Sequence, residues 1–67
     1  MDYVQLGKLV RIRRKSLGLT QEELAELLGV STSFVGHIER GTRKLSVETL
    51  HGLCMALDTS ADYLMGI

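Results

Sequence analysis

The residues best suited to catalysis or metal binding are two histidines, His37 and His51, and one cysteine, Cys54. Their spacing matches neither a zinc-binding motif nor a set of nucleophile, base and carboxylate. The chain also lacks the glycine-rich loop that cradles phosphates in nucleotide-binding enzymes. We therefore expect that the protein is not an enzyme and that it uses no metal and no cofactor.

The charged residues are balanced in number but not in position. The formal net charge is zero, from eight Lys and Arg residues against eight Asp and Glu residues. Five of the cations fall within residues 8–15 and three within residues 40–44, whereas the charged residues from 22 to 39 are all acidic. Such a distribution favours one basic face that could bind nucleic acid. The alternative is two solvated basic surfaces without a partner.

The length and composition describe one small domain that spans residues 1–67. The chain has 67 residues, of which 45% are hydrophobic and 24% charged, in the range of ordinary globular domains. No apolar run approaches the roughly 18 residues that a membrane span requires. A single cysteine cannot form an internal disulfide, which suits a reducing compartment. We expect a soluble, cytoplasmic protein.

Polar capping residues, glycines and helical spacing of apolar residues predict an all-α fold of five helices in a compact bundle. The first runs from Asp2 or Tyr3 to Leu17, the second from the capping box at Thr20 to Gly29, the third from Ser31 to Arg40, the fourth from Ser46 through Leu57, and the fifth from Ser60 to Met65. The expected inward face of the fourth helix is Val47, Leu50, Leu53, Cys54 and Leu57.

The second and third predicted helices form a helix-turn-helix over about residues 20–40. Two short helices joined by a short turn that contains glycine are the physical basis of this motif. Ala25 is small where the helices must cross, and Val35 and Ile38 fill the angle between them. This packing fixes the third helix so that its N-terminal half projects outward.

The segments LGLTQEELAELLGVS and SFVGHIERG resemble the Cro/repressor-type (XRE) helix-turn-helix family of bacteria and phages. The segment SVETLHGLCMALDTSADYLM resembles the fourth and fifth helices of the same family. The resemblance therefore covers nearly the whole chain and implies a lambda-repressor-like bundle. Gly36 departs from the family, which often has a hydroxyl residue there, so a contact from that side chain is in doubt.

The resemblance implies that the third helix enters the major groove of DNA. Carried over position by position, the residues that read base edges are Thr32, Ser33 and His37. Their chemistry agrees, since hydroxyl groups and an imidazole can hydrogen-bond base edges, and His37 could donate to guanine. The alternatives are that Thr32 and Ser33 only begin the helix and that His37 is a solvated surface residue.

The resemblance also implies contacts to the phosphate backbone and one ion pair. The expected phosphate-binding residues are Gln21, Ser31, Arg40, Arg43 and Lys44. Gln21 would lie at a helix N-terminus, where free amides favour an anion. Arg14 is expected to pair with Glu39 and so to orient the third helix. Phe34 is expected to pack beside the second helix and not to stack on a base.

The sequence thus predicts a DNA-binding transcriptional regulator, bacterial or phage-encoded and associated with the nucleoid, that most simply acts as a repressor. One recognition helix covers few base pairs, so we expect a homodimer on double-stranded DNA. Its expected interface is Tyr63, Leu64, Met65 and Ile67. The alternative is an antitoxin or adaptor that uses the same fold to bind a protein, because fold does not fix function.

Overall fold

The structure is a computed structural model that describes residues 1–66. These residues form five helices and no strand: α1 (Tyr3–Ser16), α2 (Gln21–Leu28), α3 (Thr32–Arg40), α4 (Val47–Leu57) and α5 (Ala61–Met65). The all-α, five-helix bundle predicted from the sequence is confirmed. None of the described helices combines the length and the apolar character that crossing a membrane demands.

Each helix begins after a polar residue whose side chain accepts a hydrogen bond from a first-turn backbone amide that has no partner within the helix. The cap residues are Asp2, Thr20, Ser31, Ser46 and Ser60, and each side chain accepts a hydrogen bond from the backbone amide three residues later. At α2 the bond is reciprocal, since the Glu23 side chain also accepts from the Thr20 amide at 2.9 Å. Local chemistry thus fixes the helix starts before any tertiary contact forms.

The turn between α2 and α3 is built around Gly29. This residue has a φ of 70°, a left-handed conformation that costs glycine little and other residues more. The Val30 amide then donates to the Ala25 carbonyl at 3.0 Å, which closes the end of α2. Ala25 and Val35 are buried on either side of the turn. The two helices therefore form the expected helix-turn-helix.

Helix α1 crosses α3 at very close range. A Cβ atom added to Gly7 would lie 2.6 Å from the Glu39 carbonyl oxygen and closer still to that of Ile38. At the end of α3, a Cβ atom on Gly41 would lie 2.6 Å from the Val4 Cα atom. These two glycines let the backbones of α1 and α3 approach within contact distance, so α1 holds the C-terminal end of α3.

The core lies at the centre of the bundle, and each of the five helices contributes to it. Its fully buried residues are Leu6, Val10, Leu24, Ala25, Val35, Ile38, Leu53, Leu57 and Leu64. The prediction that Val47 faces inward is wrong, because 80% of this residue is exposed. At about 100° per residue, Val47 lies roughly a quarter turn away from the direction of Leu53 and Leu57. Leu50 and Cys54 pack at the edge of the core.

We expect the substitution Gly7→Ala to lower the free energy of unfolding by about 1–3 kcal/mol, because backbone carbonyls of α3 occupy the space of the new methyl group. The measurement is urea unfolding followed by circular dichroism. Gly52→Ala is the matched control. Its Cβ atom would meet only Leu28 Cδ2, at 3.3 Å, so stability should stay the same or rise by up to about 1 kcal/mol. Equal stability of Gly7→Ala and the native chain would contradict the close crossing.

Candidate nucleic-acid interface

Helix α3 has one buried side and one polar side. Val35, Ile38 and Glu39 are buried against the other helices, whereas Thr32 and Ser33 are exposed and His37 is half-buried. The structure thus brings the three expected base-reading residues together on the outward side of α3. The Ser31 hydroxyl accepts from the Phe34 amide at 3.0 Å and fixes the first turn of the helix. A rigid polar strip on a helix of this kind fits the width of a DNA major groove.

The His37 ring is held by a residue that the sequence did not single out. Nδ1 of His37 lies 2.8 Å from the Thr42 hydroxyl oxygen, and the same hydroxyl lies 3.3 Å from the His37 carbonyl oxygen. A hydroxyl has one hydrogen, so both contacts are satisfied when Thr42 donates to the carbonyl and accepts from Nδ1–H. In this arrangement Nε2 of the neutral ring is an acceptor. In the other tautomer Thr42 donates to Nδ1 and Nε2–H is a donor, so the expected donation to guanine stays a prediction.

A buried ion pair ties α3 to α1. Arg14 Nε donates to Glu39 Oε2 at 2.6 Å and Arg14 Nη2 donates to Oε1 at 3.1 Å. The two side chains are only 8% and 3% exposed. The hydrogen bond with Glu39 raises the pKa of Arg14 above its ordinary value, so the guanidinium stays charged. The ion pair that the family resemblance implies is present, and its bidentate geometry fixes the carboxylate in one orientation.

Two further groups complete this ion pair. Arg14 Nη1 donates to the Leu19 carbonyl oxygen at 2.8 Å, and the Gln21 side-chain amide donates to Glu39 Oε1 at 3.1 Å. Every buried side-chain nitrogen or oxygen among the described residues has a hydrogen-bond partner. Gln21, expected only as a phosphate contact, therefore also links α2 to α3. Sequence spacing gave no signal of this contact, which spans 18 positions in the chain.

The cations predicted to bind phosphate lie at the C-terminal end of α3 and just beyond it. Arg40, Arg43 and Lys44 are exposed. The Arg43 guanidinium lies 5.3 Å from the centre of the Phe34 ring, a cation–π contact that positions the charge beside α3. Phe34 is half-buried and packs against the core, and its ring also supports this arginine.

Part of the N-terminal basic cluster is structural. Arg13 Nε donates to the Leu57 carbonyl oxygen at 2.8 Å, and its Nη2 donates to the Asp58 carbonyl oxygen at 3.1 Å. These bonds satisfy carbonyl groups at the C-terminus of α4, where a cation is also favoured by the helix dipole. Arg13 and Arg14 are thus both engaged within the bundle. The other three cations of this cluster are exposed, as are the three near α3, so the cations near α3 are distinguished by their position and not by their number.

The residues of the expected dimer surface differ in their exposure. Tyr63 and Met65 are 40% and 39% exposed, and Ile67 lies outside the described residues. Leu64 is fully buried, because its side chain anchors α5 in the chain's own core. It is therefore unavailable to a second subunit. A shallow apolar groove of about 340 Å³ lies nearby and is lined by Val47, Leu50, His51, Cys54 and Ala61.

The histidines, the cysteine and the acidic residues do not converge on a common point. Within the part of the chain that the structure describes, no three His, Cys, Asp or Glu side chains lie close enough together to hold a metal ion. His51 is exposed, and Cys54 is a half-buried free thiol at the edge of the apolar groove. The arrangement that stands out is therefore the polar side of α3 and its neighbouring cations.

Comparisons with known proteins match most of the chain. Residues 10–64 match the helix-turn-helix family HTH_3. The chain is 43% identical over 58 residues to an uncharacterised HTH-type transcriptional regulator, YazB, of Bacillus subtilis, covering 87% of this chain and 84% of that protein. It covers only 41% of two related regulators of Mycobacterium tuberculosis.

Two solved structures are similar throughout. The restriction-modification controller protein C.AhdI of Aeromonas hydrophila superposes with a TM-score of 0.88 at 41% identity, over 94% of this chain and 96% of that one. The c2 repressor of phage P22, solved in complex with a synthetic operator, superposes with a TM-score of 0.83 at 37% identity, over 88% and 89% of the two chains.

We expect Glu39→Gln to lower the free energy of unfolding by about 3–5 kcal/mol, because it leaves the buried Arg14 guanidinium without a counter-charge. Urea unfolding gives the value. The double substitution Arg14→Met/Glu39→Met removes both charges and should recover much of the loss. Glu26→Gln, on the exposed side of α2, is the control and should behave as the native chain. A loss below about 1 kcal/mol for Glu39→Gln would be the value of an exposed pair and would contradict the buried one.

Proposed function

The chain belongs to the helix-turn-helix family HTH_3 of DNA-binding transcriptional regulators, and we propose that it represses transcription by laying α3 in the major groove of double-stranded DNA. The observation that carries this proposal is the outward polar strip of α3, fixed from behind by the buried Arg14–Glu39 pair. The P22 repressor, whose structure contains an operator, supports the transfer of DNA binding to this chain. Binding is the whole activity, without a catalysed reaction and without a cofactor.

Thr32, Ser33 and His37 are the proposed base-reading residues. Thr32 and Ser33 are exposed at the first turn of α3, the part of a recognition helix that reaches base edges. The Thr32 methyl group suits a thymine methyl, and both hydroxyls can donate or accept. Thr42 holds Nδ1 of His37, which leaves Nε2 for a base edge, as a donor or as an acceptor according to the tautomer.

The proposed phosphate contacts surround this strip. Arg43 and Lys44 lie in the loop after α3, and Ser31 caps the helix while still able to donate its own hydroxyl hydrogen. Gln21 is the first residue of α2, beside free backbone amides that favour a phosphate. Its bond to Glu39 would hold the side chain in place for that contact. Such contacts set the register of α3 without reading sequence.

A homodimer is part of the proposal. The molecule measures 26 × 21 × 19 Å, which is smaller than the roughly 34 Å between major-groove half-sites on one face of DNA. Two adjacent copies could therefore each place an α3 helix in successive turns of the groove. Tyr63 and Met65 are the proposed contacts between them, since they expose apolar surface on α5. Such a regulator would act in the cytoplasm of a bacterium, on its own or phage DNA.

The phosphate contacts predict a steep dependence of affinity on salt. The logarithm of the binding constant should fall linearly with the logarithm of salt concentration, and Arg43→Ala/Lys44→Ala should reduce the slope by about 1.8. Fluorescence anisotropy with a duplex selected from a random pool measures both values. Arg11→Ala/Lys15→Ala is the control with the same loss of charge on α1, and it should leave the slope nearly unchanged. Weak salt dependence, or failure to select any duplex, would instead favour an antitoxin or adaptor that binds a protein.

The dimer predicts a second result. Tyr63→Ser/Met65→Ser should weaken binding to a two-half-site duplex while binding to one half-site is retained, because the apolar contact between subunits is lost. Sedimentation velocity of the free and DNA-bound protein measures the assembly. Ile12→Ser is the control, since Ile12 is 58% exposed on α1. A native chain that stays monomeric both free and on DNA would rule out the dimer.

A further inference from the structure

The side chain of Arg40 lies over a glycine on its own helix. Outside the backbone of α3 itself, the three atoms nearest to a Cβ atom built on Gly36 would all belong to the Arg40 guanidinium. They are Nη1 at 3.0 Å, Nη2 at 3.5 Å and the central carbon at 3.6 Å. Gly36 is buried although Arg40 is exposed. The guanidinium thus lies directly against the space that a side chain at position 36 would enter. Arginine reaches back by one turn, in the direction that helical side chains favour.

Arg40 projects from the same side of α3 as the proposed base-reading residues. At about 100° per residue, Arg40 projects from the helix axis between the directions of Thr32 and His37, and nearly opposite to Ile38. Its Cα atom lies in the last turn of α3, too far along to join the first-turn residues by position alone. Because the side chain folds back over Gly36, its guanidinium moves one turn closer to Thr32 and Ser33.

Neither helix propensity nor packing against another helix explains why residue 36 is a glycine. Glycine is among the least favourable residues in a helix interior, and here it has ordinary helical geometry with no left-handed φ to explain it. No backbone of another helix lies among the atoms nearest to its missing side chain. Gly36 differs in this from Gly7, which is required by the crossing with α1. The missing side chain at Gly36 leaves room for the Arg40 guanidinium.

We propose that Arg40 is a base-reading residue which takes the groove position left vacant by Gly36, and that it recognises guanine. This inference rests on the proposed function and changes the role expected for Arg40 from a phosphate contact to a specificity determinant. A guanidinium can donate two parallel hydrogen bonds to O6 and N7 of guanine, a pairing that no other base offers. Arg43 differs from Arg40, because its guanidinium lies against Phe34 beside the helix.

Selection of duplexes from a random pool, followed by affinities for single-base variants, tests this role. The native chain should select one guanine in each half-site that Arg40→Lys no longer distinguishes, with a loss of preference of about 5- to 150-fold. Lysine keeps the positive charge but cannot form the bidentate pair, so the salt dependence should change little. Gly36→Leu should displace the guanidinium and remove the same preference. Arg43→Lys is the control and should preserve the whole selected motif.

The outcomes separate this inference from the proposed function. If Arg40→Lys selects the native motif, while Arg40→Ala weakens binding to all duplexes equally and lowers the salt slope by about one, Arg40 contacts phosphate and the inference is overturned. If Gly36→Leu retains the guanine preference, the glycine has no part in placing Arg40. If the native chain selects no motif, the proposed function fails and this inference fails with it. Circular dichroism melting of each variant confirms that the bundle remains folded.

Discussion

The direct contact between α1 and α3 holds the outward side of α3 in place. At Gly7 the two backbones approach so closely that no side chain fits between them, and about two turns further along α1 the Arg14–Glu39 pair joins the same helices by two hydrogen bonds. Apolar packing alone would permit small rotations of a nine-residue helix. The bidentate pair has one geometry, so it fixes which side of α3 faces outward.

That orientation gives each polar residue of α3 its role. Glu39, which would repel DNA if it were exposed, is neutralised by Arg14 inside the bundle. The outward side then carries hydroxyls, an imidazole and arginine, and the loop after α3 adds further cations. Thr42 and Phe34 hold His37 and Arg43 in defined positions. The net charge of zero is thus compatible with an anionic ligand, because local charge decides binding.

The sequence predicted the helices well because their ends depend on local chemistry. Each cap hydroxyl or carboxylate bonds an amide only three residues away, so the start of each helix could be predicted from adjacent residues. Burial was harder to predict, since it depends on how helices meet. Val47 is exposed and Leu64 is buried, contrary to expectation. The bonds from Gln21 to Glu39 and from Arg13 to Leu57 join distant residues, so no spacing pattern could have indicated them.

The most direct test of this account is the movement of backbone amide resonances when a selected duplex is added to the isotope-labelled chain. A fixed α3 with its polar side outward predicts the largest changes at Thr32, Ser33 and His37 and in the loop at Arg43 and Lys44. Residues of α4 that line the apolar groove should change little. Large changes confined to α4 and α5, with α3 unaffected, would show that a different surface meets the ligand and would contradict the account.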